Sequence, residues 1–101
     1  MKISDRKKIV YSVLKELTEN RYLPNNNDYS ITTEDFVAII RFMVKENYLD
    51  KNSVLFNILG GVEMENEIDT VTDLGLAFIE ECEAWNTVYS NIKDYKNLLK
   101  L

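Results

Sequence analysis

Histidine is absent from this chain. The usual proton shuttle near neutral pH and the commonest metal ligand are therefore both missing. Cys82 is the only cysteine, so no intrachain disulfide can form, and an unpaired thiol fits a reducing cytosol. One proline and three glycines leave little room for a flexible linker. No apolar run is long enough to span a bilayer. The N-terminal cations Lys2, Arg6, Lys7 and Lys8 are not followed by the apolar core of a signal peptide, and a cytoplasmic location is expected. The most telling absence is electrostatic. Between Lys51 and Lys93 there is no basic residue, while Glu63, Glu65, Glu67, Asp69, Asp73, Glu80, Glu81 and Glu83 fall in that stretch. With a net charge of −5, the domain repels nucleic acid and anionic membranes at long range.

What is present is ordinary for a globular protein. At 101 residues, with 46% hydrophobic and 29% charged residues, the chain suits one domain with one core. Ile9, Val10, Val13, Leu14 and Leu17 gather on one stripe of a helix over residues 4–20, which Ser4 can cap. Residues 21–31 form a connector in which Pro24 and the run Asn25-Asn26-Asn27-Asp28 favour turns, with room for one helical turn around Asp28–Tyr29. A second helix is expected over 32–48. Thr32 and Asp35 have capping-box spacing, and Phe36, Ile39, Ile40, Met43 and Val44 form the buried face. A hairpin is expected over 53–71, with strands at Val54–Ile58 and Glu67–Val71 joined by a long tip carrying Gly60-Gly61. A last helix over 73–100, capped by Thr72 or Asp73, has Phe78, Cys82, Trp85, Tyr89, Ile92 and Leu99 along one side. About 26 residues of it at 1.5 Å each span about 39 Å, long enough that a bend near Asn86-Thr87 is expected.

Helix, turn region, helix, two-stranded wing and closing helix is the order of a winged helix-turn-helix. The fold class read from the sequence is thus mainly α with a small β-hairpin (α+β), ending in a long C-terminal helix. The residues also resemble a known family. Thr33-Glu34-x-Phe36 opens the second helix and Glu46-Asn47-Tyr48-Leu49 closes it. Thr72-x-x-Gly75 starts the last, and Trp85, Tyr89, Ile92 and Lys93 follow. Together these look like the YjcQ family of small proteins from Gram-positive bacteria and their prophages. The ordered set, rather than any one motif, carries the likeness over nearly the whole chain. The resemblance implies a winged-helix fold and a family without an established biochemical function. Asp73-Leu74 stands where a lysine commonly precedes the glycine, and the hairpin tip is more acidic than the family pattern.

Candidate contacts lie on the second helix, which holds the recognition position of a helix-turn-helix. At about 100° per residue, Glu34, Ala38, Arg41, Phe42 and Lys45 share the face opposite Phe36, Ile40 and Met43, with Thr33 at its start. Arg41 and Lys45 have the chemistry to meet phosphate or guanine, or to remain solvated cations balanced by Glu34 and Glu46. Glu34 sits nearest the base-reading end, where it repels phosphate. Phe42 falls among polar residues, either as an anchor for a protein partner or covered by the wing or last helix. The basic N-terminus is a helper patch or a solvated helix start. Glu63, Glu65 and Glu67 alternate and would share one strand face, but they lack the loop of a calcium site, so a solvated hairpin edge is expected. Trp85, Tyr89 and Tyr95 read as core packing, and Cys82 as a buried thiol. Gly60-Gly61 lacks the residues of a phosphate-binding loop.

No catalytic, cofactor-binding or metal-binding residue is assigned. The expected function is a non-enzymatic binding module of regulatory character working through protein–protein contacts, as monomer or homodimer, with an unidentified protein partner and no membrane association. The alternative is a DNA-binding regulator that dimerises through the C-terminal helix and contacts duplex DNA with Arg41 and Lys45. A wing that grips DNA needs lysine or arginine, because phosphate neutralisation supplies most of the affinity, and here the wing is acidic.

Overall fold

Nearly the whole circumference of the first helix is buried between Ile9 and Leu17, and the rest of the fold is arranged around it. The computed structural model describes residues 3–57, 61–64 and 70–85. They form α1 (Ile3–Glu19), a single-turn 3-10 helix (Asn26–Tyr29), α2 (Thr33–Lys45), β1 (Val54–Phe56), β2 (Val62–Met64) and α3 (Asp73–Trp85). This is a mostly helical α+β, winged-helix-like order with a small antiparallel hairpin. The expected stripe on α1 is buried, and so are Tyr11, Ser12 and Glu16, because α2 and α3 both pack on this helix. Polar groups in such a place must be satisfied. The Ser12 and Tyr29 hydroxyls share a hydrogen bond of 2.9 Å, and Glu16 accepts from Asn20 Nδ2 at 3.0 Å. Tyr11 Oη donates to Glu83 on α3 at 3.4 Å. Ser4 lies inside the helix rather than ahead of it, since helical structure already includes Ile3.

The connector is built, not slack. Arg21 turns the chain out of α1 with φ 50, and Pro24 is buried. Asn25 caps the 3-10 turn by accepting from the amides of Asn27 (2.9 Å) and Asp28 (3.3 Å), while Asp28 accepts in return from the Asn25 amide at 3.0 Å. This reciprocal box delivers Tyr29 to the core, where its ring stacks on Phe36 with centroids 6.3 Å apart. Thr32 then caps α2, accepting from the Asp35 amide at 3.1 Å. The helix ends at Lys45, three residues short of the expected 48, because Asn47 adopts a left-handed conformation with φ 62 that no helix can continue through.

The hairpin differs from expectation in its register. β1 pairs with Val62–Met64, which lie nearer in the chain than the expected partner strand: Val54 faces Met64, Leu55 faces Glu63 and Phe56 faces Val62. Asn57 closes the turn early. Its amide donates to the Gly61 carbonyl at 3.0 Å, and its side chain accepts from the Gly61 amide at 2.8 Å, so pairing starts at once. Among the described residues of the expected second strand, Val71 pairs with Leu49 in an isolated bridge. The Asp50 amide donates to the Thr70 carbonyl beside it at 2.8 Å. Glu65, Glu67, Asp69 and the expected bend and helix beyond Trp85 lie outside the described residues. Thr72 caps α3, accepting from the Gly75 amide at 3.1 Å.

Candidate functional site

α2 lays out its outer face as its periodicity dictates. Thr33, Glu34, Ala38, Arg41 and Lys45 are exposed, while Phe36, Ile39, Ile40 and Met43 are buried. Charge is graded along this face, with Glu34 and Asp35 in the first turn and Lys45 in the last. That gradient complements the helix dipole, which is its structural role whatever else it does. Among the described residues no ion pair involves Arg41 or Lys45. Arg41 is engaged in another way: its guanidinium lies 4.3 Å from the centroid of Phe56, which joins the hairpin to α2.

Phe42, read from the sequence either as a partner anchor or as covered by the wing or last helix, is half-buried, and Phe78 of α3 lines the same cleft. Arg6 of α1 lies over its ring at 4.2 Å, and Tyr48 meets it edge-on with centroids 6.5 Å apart. Tyr48 in turn packs against Phe78 of α3 at 4.8 Å. These three rings floor a cleft of about 230 Å³ whose other walls are Arg6, Lys7 and Val10. The basic start of α1 and the outer face of α2, separate in the sequence, therefore form one surface. Arg6 and Lys7 belong to the basic N-terminal patch read from the sequence as a helper patch or a solvated helix start, whereas Val10, Tyr48 and Phe78 were not singled out as contacts. The N-terminal cations were the one hint, and only the tertiary crossing of α1 over Phe42 gives them a place.

The Tyr48 hydroxyl and the Cys82 thiol beside the cleft both stay protonated at neutral pH. Burial raises the Tyr48 hydroxyl, reinforced by the carboxylates of Glu46 and Glu81. Burial also raises the half-buried Cys82 thiol; Lys7 pulls it down, but Glu81 and Glu83 add to the rise. A protonated thiol is a poor nucleophile. One turn further along α1, Lys15 bridges Glu83 of α3 at 2.5 Å and Glu19 at 2.6 Å. Burial lowers the Lys15 ammonium, yet the two hydrogen bonds outweigh it and leave its pKa raised. Among the described residues no group of three or more His, Cys, Asp and Glu side chains is placed to hold a metal ion, and no helix is long and apolar enough to cross a membrane.

Two of the sequence motifs meet at a joint rather than at this surface. The Thr72 hydroxyl donates to the Asn47 carbonyl, and the Thr72 amide donates to the Tyr48 carbonyl at 3.1 Å. Gly75 brings α3 against that same carbonyl: a Cβ there would stand 2.5 Å from Tyr48 O. Asn47-Tyr48 and Thr72-x-x-Gly75 thus hold the exit of α2 to the start of α3. What the cleft and the outer face can do chemically is bind: stack a ring, shelter an apolar group, and pair a carboxylate with Arg6.

No family model matches the chain. No solved structure matches it either. The chain is 26% identical over 102 residues to the uncharacterized protein YjcQ of Bacillus subtilis (strain 168), covering 95% of this chain and 99% of that protein. The likeness to that protein runs along nearly the whole length of both chains.

Proposed function

We propose that the protein is a non-enzymatic binding module of regulatory character that engages a protein partner through the outer face of α2 and the adjoining Phe42 cleft. The observation that carries this reading is the arrangement of α2 itself. Glu34 and Asp35 are exposed at the end that a recognition helix points at base edges, while Arg41, the best candidate for a phosphate, lies over Phe56. Phosphate neutralisation has little to work with there, and Glu63 on the exposed edge of the hairpin adds repulsion. An aromatic-floored cleft beside an exposed helix face is, by contrast, the kind of surface on which protein interfaces concentrate their energy. The reading as a non-enzyme draws on the lack of histidine and on a thiol held protonated.

A fluorescence-anisotropy titration with labelled duplex DNA at low salt tests the choice of partner class. The expected result is no saturable binding. Tight binding that weakens steeply with added salt would overturn the reading in favour of a DNA-binding regulator.

A further inference from the structure

We infer that the Phe42 cleft is an anchor pocket for a single apolar side chain of an acidic partner segment, with Arg6 receiving a carboxylate next to that side chain. This inference rests on the protein-binding reading above and adds the chemistry of the partner.

Size comes first. Cavities that take drug-sized ligands or cofactors run to about 300–1,000 Å³. At about 230 Å³ the cleft is smaller than that and open at the surface, which suits one side chain better than a whole small molecule. Lining comes second. Its floor is Phe42, Tyr48, Phe78 and Val10, so the part of a ligand that enters must be apolar. The hydroxyl of Tyr48, raised by burial, stays neutral and puts no negative charge at the floor.

Charge decides what flanks the anchor. Arg6 and Lys7 form one wall, and Arg41 and Lys45 lie on the same side of α2 as Phe42. Arg6 contributes the most directional group. Its guanidinium sits 4.2 Å from the Phe42 centroid, a cation–π contact that consumes none of its N–H donors and leaves them for a planar acceptor. Among the described residues no carboxylate pairs with it. A carboxylate from a partner, held two N–H bonds at a time, completes that geometry, and the contact with Phe42 has already fixed the side chain that receives it. The carboxylates of Glu46 and Glu81 act on the Tyr48 hydroxyl, so the Tyr48 side of the cleft is the less favourable one for a bound acidic segment.

The test uses the full chain and a defined probe, the pentapeptide Glu-Asp-Phe-Asp-Glu, followed by amide chemical shifts in NMR titrations. Saturable shifts at Arg6, Val10, Phe42 and Tyr48 are expected. They should be lost when alanine replaces the peptide's phenylalanine, and lost when lysine replaces its acids. Arg6→Gln, which keeps much of the stem over Phe42, should weaken binding by about tenfold, the size of one lost hydrogen bond to a charged group. If the shifts do not saturate, or the lysine peptide produces them equally, or Arg6→Gln leaves affinity unchanged, the assignment is overturned. The two peptide controls keep the test decisive even if the Arg6 variant folds poorly. A short duplex that shifts the same amides more strongly, in a salt-dependent way, would overturn it in favour of nucleic acid. If the duplex titration is blank and a protein still docks on α2 while the peptide leaves the cleft unmoved, the pocket assignment fails and the protein-binding reading stands.

Discussion

Replacing Gly75 by alanine sets two effects of opposite sign against each other. Gly75 lies in the first turn of α3, where alanine has the higher helix propensity by about 1 kcal/mol. On propensity alone the variant is more stable. The contact argument gives the reverse. The new methyl would stand 2.5 Å from the Tyr48 carbonyl oxygen, with Val71 Cγ1 at 3.0 Å and Leu14 Cδ2 at 3.4 Å. The nearest atom is backbone and cannot swing aside as a side chain tip does. It is also anchored, since it accepts from the Thr72 amide at 3.1 Å. Relief requires α3 to back away from the exit of α2, stretching that bond and the Thr72 cap. Overpacking costs about 1–3 kcal/mol, and a 2.5 Å approach to fixed backbone belongs to the upper end, about 2–3 kcal/mol, so after the propensity gain of about 1 kcal/mol a net loss of about 1–2 kcal/mol is expected. For a domain of this size that lowers the melting temperature by roughly 5–15 °C. Urea and thermal unfolding followed by far-UV circular dichroism measure it. Ala77→Gly, at an exposed position of the same helix, calibrates propensity without the contact. A Gly75→Ala protein as stable as the parent, or more so, would refute the close-approach account of the joint.

Alkaline stability follows from the tyrosines. Burial raises Tyr29 and Tyr11 above the ordinary value of 10.0, and the hydroxyl of Tyr22, bonded to Asp28, is raised as well. A group whose folded pKa is raised stabilises fully below its unfolded pKa and loses that contribution as pH climbs. Stability should therefore be flat up to about pH 10 and fall above it. Tyr29→Phe should cost about 1–2 kcal/mol at neutral pH by stranding the Ser12 hydroxyl, and should shrink the alkaline fall; an unchanged fall would contradict the assignment. Arg41→Ala should remove about 0.5–1 kcal/mol of contact with Phe56 and speed amide exchange at Leu55 and Glu63; unaltered exchange would show that the hairpin does not depend on this stack. Cys82 should alkylate more slowly at neutral pH than a free thiol, and more slowly still in Lys7→Met, because Lys7 is the group that lowers its pKa; a faster reaction in that variant would reverse the electrostatic assignment.

The sequence made the helix faces legible because their physics is local. A period near 3.6 marks the buried stripes of α1 and α2, and the hydroxyls of Thr32 and Thr72 mark where α2 and α3 begin. The same geometry identified the exposed face of α2 from Thr33 to Lys45. What stayed hidden depends on partners distant in the chain or on a single backbone torsion. Val62-Glu63-Met64 alternates as the expected strand at 67–71 does, and it is the Asn57–Gly61 turn that brings the former onto β1. Asn47 ends α2 by taking a positive φ that composition alone does not announce. The burial of Glu16 and Ser12 depends on Asn20 and Tyr29, which bond to them in the folded chain. The cleft is the clearest case. Arg6 and Phe42 each show up in the sequence, one as a terminal cation and the other as a misplaced aromatic, and only the crossing of α1 over α2 makes them a site.

Photo-crosslinking inside the native host tests the central claim most directly. A benzophenone amino acid at position 38, in the middle of the exposed α2 face, is compared with the same group at position 63 on the hairpin. A discrete protein adduct is predicted from position 38 and none from position 63. Adducts to nucleic acid from position 38, or the same adducts from both positions, would contradict a protein-docking role for α2.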